Sequence, residues 1–292
     1  MRGREEFGRE FSSLVSANSA YSAGVRIMAA NAIARLLNSA VWKADDVLIG
    51  NLSALLLSSF DELPHAHGVY VARAFRALTP LTPSANLEPT LQPLLEQAVK
   101  KERISSFSAM DISEVCHSVD KIKRGITNET HLTHRLDFLL QKLFQELLDR
   151  RDYMRVQLDK RHKRDDQWLS IQAISNILYA TRGYGGDASL RGEVAELLLN
   201  LCAYHAEVDA LKSCQPIHVV SIIESCITAS HLKHPSELRA FKKLLDELLR
   251  KRRFIDDSTH IHRMLQSLHE RWASCTPAAR SFIVRLTQEF SE

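Results

Sequence analysis

A repeated pair of helical faces constrains this chain more than any other feature of its sequence. Ile171, Ile174, Ile177, Leu178 and Thr181 follow the i, i+3, i+6, i+7, i+10 spacing of one helix face. Tyr184-Gly185-Gly186-Asp187 then breaks the helix, and a second face follows at Leu190, Val194, Leu197, Leu198 and Leu201. The two faces read as a helical hairpin, helix A then helix B. The pattern returns 48 residues downstream. There Val219, Ile222 and Cys226 lie on helix A, Leu232-Lys233-His234-Pro235 turns the chain, and Leu238, Leu245 and Leu249 lie on helix B. It also stands 103 residues upstream, with Val71, Ala74 and Phe75 on A and Leu87, Leu91, Leu94 and Leu95 on B. Pro80 and Pro83 occupy that turn.

Three weaker copies complete the series. Ile33, Leu36 and Leu37 lead to Leu48, Leu52, Leu55 and Leu56. Ile112, Val115 and Val119 lead to Leu136, Leu140, Leu143 and Leu147 through a longer turn around 125–128. Met264 and Leu268 lead to a last apolar stretch over 278–290. About six hairpins at periods of roughly 38 to 54 residues fall near the range of helical-hairpin solenoids. A hairpin of this size cannot bury both of its apolar faces alone, so neighbours must stack. The expectation is an all-α fold: an α-solenoid of about six stacked helical hairpins, armadillo/HEAT-like in kind. Glycine and proline are scarce for 292 residues, at 10 and 8, which argues against an all-β fold with many tight turns.

The expected organisation is an N-terminal extension over 1–24, repeats 1–3 over 25–149, a charged helix extension or linker over 150–166, and repeats 4–6 over 167–292. A two-bundle alternative stays open, because Arg150–Asp166 is long and highly charged. The N-terminus carries two readings. No acidic residue occurs from Phe11 to Ala44 while serine and alanine abound, as in organelle transit peptides. Equally, the stretch from Val25 onward reads as the first helix of the fold. No apolar run approaches the ~20 residues of a membrane span; the longest, Val47–Leu57, is interrupted by Gly50, Asn51 and Ser53. Five scattered cysteines do not form a disulfide framework and fit a reducing compartment.

Catalytic and metal-binding patterns are weak. Arg182-Gly-Tyr-Gly-Gly-Asp187 has glycines but neither a preceding strand nor a Lys-Ser/Thr, so it reads as a helix C-cap and turn rather than a phosphate loop. The close pairs His65/His67, His131/His134 and His260/His262 lack the partners that a zinc site requires. Cys116 and His117 diverge by about 100° on a helix and cannot pair directly. No Gly-x-Ser-x-Gly elbow occurs. The expectation is a protein that is not an enzyme, with no catalytic residue, metal or cofactor. Trp42, Trp168 and Trp272 flank helix A or its turn and read as packing residues.

Basic clusters are more informative, because the repeat gives them a position. Ala98, Leu147, Leu201 and Leu249 fall in register near four helix-B ends. Shortly after them come Lys100-Lys101, Arg150-Arg151, Tyr204 with His205, and Arg250-Lys251-Arg252-Arg253. The charged stretch adds Lys160, Arg161, Lys163 and Arg164 to the same candidate set. Stacked repeats would align these groups along one edge. Helix-dipole complementarity, roughly 0.3–1 kcal/mol per cation, accounts for one lysine per end better than for a run of four. A cationic ridge is sufficient for phosphate-backbone contact; base recognition needs aromatics beside it, and Tyr204 is the obvious one. A net charge of +3 permits such a partner without requiring it.

The segment Trp168-Leu-Ser-Ile-Gln-Ala-Ile-Ser-Asn-Ile-Leu-Tyr-Ala-Thr-Arg-Gly-Tyr184 resembles helix A of the octotricopeptide-like repeats of organellar RNA-metabolism proteins. Asp111-Ile-Ser-Glu-Val-Cys-His-Ser-Val119 is a more distant copy, and the other repeats match in apolar spacing alone. Taken whole, the chain is similar to the divergent armadillo/HEAT-like proteins of kinetoplastid mitochondrial RNA-editing and mitoribosomal assemblies. The resemblance implies a non-catalytic RNA-binding or scaffold subunit of a mitochondrial ribonucleoprotein assembly serving RNA editing, processing or the mitoribosome. Its implied partners are RNA, chiefly through the phosphate backbone, and other protein subunits, with no membrane. The alternatives are a protein–protein adaptor of armadillo/HEAT type without RNA contact, and a cytoplasmic location.

Overall fold

The structure, a computed structural model, describes residues 21–38, 46–60, 68–82, 87–126, 130–152, 169–207 and 215–228, with Asp246, Gln266, Arg280, Ser281, Val284, Thr287 and Gln288. Among the described residues there are ten helices and no strand. They are α1 (Ala23–Asn38), α2 (Asp46–Phe60), α3 (Gly68–Leu78), α4 (Leu87–Ala98), α5 (Lys101–Ser105), α6 (Ala109–Gly125), α7 (Thr130–Asp149), α8 (Ile171–Gly183), α9 (Ala188–Glu207) and α10 (Pro216–Thr228). A 3-10 turn over Thr79–Leu81 follows α3. The all-α expectation holds over these residues. The chain divides into two compact units, Met1–Glu146 and Leu147–Glu292.

In the first unit, α1, α3 and α6 are the helices read as A, and they pack in series. Tyr70 lies against Gly24, Arg73 Nη1 meets Met28 Sδ at 2.6 Å, and Asn38 Nδ2 donates to Thr79 Oγ1 at 2.9 Å. These contacts ascend together along both chains, so α1 and α3 run in the same direction. The same order joins α3 to α6: Gly68 against Phe107, Arg76 with Glu114 at 3.7 Å, and Thr82 against Gly125. A Cβ at Gly68 would come within 2.6 Å of the buried Phe107 ring. Glycine is therefore what allows that close approach.

The B helices form the other layer. Ser53 and Thr90, both buried, share a hydroxyl hydrogen bond of 2.5 Å between α2 and α4, and Glu96 of α4 faces Arg135 of α7 at 3.6 Å. The core between the layers holds Val71, Ala74, Phe75, Leu91, Leu94, Ile112, Val115, Leu136, Leu140 and Leu143, all buried where the spacing places them. In the second unit, α8 and α9 form a hairpin and α10 packs on α8. Ile174, Leu178, Leu197 and Ile222 are buried there. Leu238, Leu245 and Leu249 lie outside the described residues, as does most of the sixth repeat.

One register differs from expectation. Leu36 is exposed and Leu37 half-buried; the inward face of α1 is Ile27, Ala30, Ile33 and Ala34. The reason is steric: a helix packed close to two neighbours through small residues turns Ala30 and Ala34 inward, and the leucines rotate outward. No helix among the described residues is long and apolar enough to cross a membrane.

Candidate nucleic-acid interface

Lys100 and Lys101 stand on the connector between α4 and α6. Helix α4 closes at Ala98, with Val99 N–H still donating to Leu95 O at 3.1 Å. Lys100 then adopts an extended conformation (φ −64°, ψ 134°), and its carbonyl accepts from Arg103 N and Ile104 N at 2.9 and 3.0 Å. Buried Ile104 and Phe107 pin this segment. Both lysines are exposed, and Lys100 Nζ donates to Gln97 Oε1 at 2.8 Å. Arg103 is half-buried, and burial lowers its pKa from the ordinary arginine value.

This geometry changes the dipole reading. Lys100 caps, and Lys101 begins, the short helix α5. The last turns of α4 and α7 contain no basic residue. Dipole complementarity acts only within the last turn, so it does not explain these two lysines.

Arg150 and Arg151 follow the end of α7. Arg150 is half-buried; Arg151 is exposed and faces exposed Asp152 at 4.0 Å. Asp149 and Asp152 bracket the two arginines, so this stretch is locally neutral. Tyr204 lies inside the final turn of α9, not beyond its end, because no breaker intervenes before Glu207. Its half-buried ring meets His205 edge-on, with centroids 6.4 Å apart. His205 is buried, with Nε2 2.9 Å from Leu169 O. Burial lowers the His205 pKa and the Leu169 hydrogen bond partly opposes that. Lys160, Arg161, Lys163, Arg164, Arg250, Lys251, Arg252 and Arg253 lie outside the described residues. Of the rest, Lys100 and Lys101 belong to the first unit and Arg150, Arg151 and Tyr204 to the second.

Spacing on helix B left a second cationic series unread. The last turns of the A helices hold Arg35 in α1, Arg76 in α3, Lys123 and Arg124 in α6, and Arg182 in α8. Comparing the ends of the A helices, rather than the leucines of the B helices, would have found it. Several of these cations are paired internally: Arg76 with Glu114, Arg124 with Asp120 at 3.0 Å, and Lys123 with Asp137. Arg182 stacks over the Tyr179 ring at 5.1 Å.

The glycine run after α8 is a turn. Tyr184 is buried, its hydroxyl accepts from Asp187 N at 3.2 Å, and a Cβ on Gly186 would strike that ring. Asp187 Oδ1 accepts from Ser189 N at 2.8 Å and so caps α9. Cys116 is buried, and its thiol pKa is raised by desolvation and then by Asp120, which opposes nucleophile chemistry. His131 and His134 are exposed on α7. His65, His67, His260 and His262 lie outside the described residues. Among the described residues, no group of three or more His, Cys, Asp or Glu side chains is arranged to hold a metal ion. In comparisons with known proteins, no family model matches the chain and no curated protein matches it significantly.

Proposed function

We propose that the chain is a non-catalytic helical-repeat subunit that binds RNA through its phosphate backbone and scaffolds other proteins in a mitochondrial ribonucleoprotein assembly. RNA editing, RNA processing and the mitoribosome are the processes that the resemblance of the chain taken whole suggests. The proposal includes one continuous α-solenoid of about six hairpins running through both units. The observation that carries it is the serial, same-direction packing of α1, α3 and α6. Repeats stacked in this way leave long faces and connectors to solvent, which suits a binding surface more than an enclosed site. Exposed Lys100 and Lys101 on such a connector support the phosphate contact.

The test is the salt dependence of binding to single-stranded RNA of unrelated sequences. Lys100→Glu with Lys101→Glu, and separately Lys251, Arg252 and Arg253 to Glu, should weaken every RNA alike. The salt slope should flatten by roughly 0.7 per lost contact, with thermal unfolding unchanged. Unaltered affinity and slope in both folded variants would remove the basic edge from the mechanism. The adaptor reading is favoured by a different observation, an exposed aliphatic stripe on α1. It expects partner capture that persists after RNase treatment.

A further inference from the structure

Helix α1 carries apolar residues on the side away from its core. Tyr21, just ahead of it, and Val25, Met28, Ala32 and Leu36 recur at one-turn spacing, all exposed. Val25 is 49% exposed, Tyr21 and Met28 43%, and Leu36 37%. A surface helix ordinarily presents charged and polar residues there. The stripe runs the length of α1, about 24 Å at 1.5 Å per residue. Cations border it. Arg35 is exposed and Arg73 Nη1 touches Met28 Sδ. Neither α1 nor α3 contains a carboxylate; of their other two arginines, Arg26 is buried and Arg76 turns to Glu114 of α6. By contrast, α2 and α4 contain Asp46, Glu88 and Glu96 and no lysine or arginine, with Glu96 facing Arg135 of α7.

We infer that the outward face of α1 and α3 is a docking surface for an amphipathic, acidic α-helix of a partner protein. Two helices pack by interdigitating apolar rows at i, i+3 or i+4, and i+7, and α1 offers such a row. Glutamates or aspartates flanking those anchors meet Arg35 and Arg73, whose guanidinium forks suit carboxylates. RNA fits this face less well. Phosphates satisfy the arginines but leave Val25, Met28 and Leu36 without an apolar partner, and Tyr21 is the one aromatic ring of the stripe, whereas base stacking uses successive rings. The surface is separate from Lys100 and Lys101, so it does not depend on the RNA reading.

Cysteine accessibility tests the inference in the full chain. Val25→Cys is labelled with a maleimide and read at position 25 by mass spectrometry, which sets aside the native cysteines. The probe is a synthetic helix of about 18 residues, five turns, with leucines at i, i+3, i+4 and i+7 flanked by glutamates. It should slow labelling at saturation by about tenfold. A counterpart with lysines for glutamates should not. Arg35→Glu with Arg73→Glu should raise the half-protecting peptide concentration by at least about tenfold, which is one decade in Kd, with circular dichroism melts unchanged. Arg35→Glu alone, at an exposed helix end, serves if the double variant misfolds, and should shift it several-fold. Equal protection by both peptides, or none by either, overturns the inference. So does protection by polyuridylate, which makes the face an RNA site. Protection that grows with protein concentration assigns it to a second copy. Protection without peptide at every concentration assigns it to the chain's own residues 1–20.

Discussion

Lys123 and Asp137 meet where α6 turns back into α7, with side chains only 9% and 14% exposed. Taking both charges out of water is costly, so the pair is stable only as a pair. Asp137→Ala takes from the largely buried Lys123 ammonium the carboxylate it meets and should cost about 3–5 kcal/mol in urea unfolding. Lys123→Met combined with Asp137→Leu should recover most of that loss, because neither charge remains to be desolvated. His205 sets a pH dependence in the second unit. Its folded pKa lies below the ordinary 6.5, so the unfolded chain takes up a proton that the folded chain refuses. Stability is therefore complete above about pH 6.5 and falls as pH drops through the lowered value. His218, also lowered by burial, acts in the same direction. His205→Gln keeps an N–H for Leu169 O and should flatten the fall in Tm between about pH 7 and pH 5.

The helix starts are specified unevenly. Ser108 opens α6 with a reciprocal cap: its Oγ accepts from Asp111 N at 3.1 Å, and Asp111 Oδ2 accepts from Ser108 N at 2.9 Å. Ser108→Ala removes the accepting hydroxyl and should cost about 0.5–2 kcal/mol, measured by thermal melts. Ser170 caps α8 in one direction only, through Ala173 N at 3.1 Å, so Ser170→Ala should fall at the lower end of that range. Both caps are visible in sequence as a serine three residues before the capped amide. Apolar spacing alone passes over them, because it registers faces and not ends. The same blindness produced the misassigned Leu36 and Leu37: α1 carries apolar residues on two sides, and spacing does not tell which side is buried.

At the scale of the molecule, the proposed solenoid predicts that repeats respond together. Leu94→Ala in the first unit and Leu197→Ala in the second each empty a buried site and should cost about 2–5 kcal/mol. A continuous solenoid couples repeats to their nearest neighbours. Leu94→Ala should then lower hydrogen-exchange protection most in α3, α4 and α6, with an effect that fades along the chain and still reaches α8. Protection in α8 that stays untouched in Leu94→Ala would favour two independent bundles.

The sequence by itself determined that the described chain is helical, and which residues of α3, α4, α6, α7, α8 and α9 point inward. Val71, Leu94, Ile112, Leu143, Ile174 and Leu197 follow from a 3.6-residue period, and a period is a local property that survives any arrangement of neighbours. The basic clusters were legible as clusters for the same reason. Tertiary structure alone decided that Lys100 and Lys101 begin a short helix pinned by buried Ile104 and Phe107, that His205 reaches Leu169, and that Lys123 finds Asp137. It also decided which apolar face of α1 is left to solvent. These outcomes depend on which helix becomes whose neighbour. Spacing within one helix carries no record of that choice, because side chains that meet across helices are set by packing and by the free energy of leaving water together.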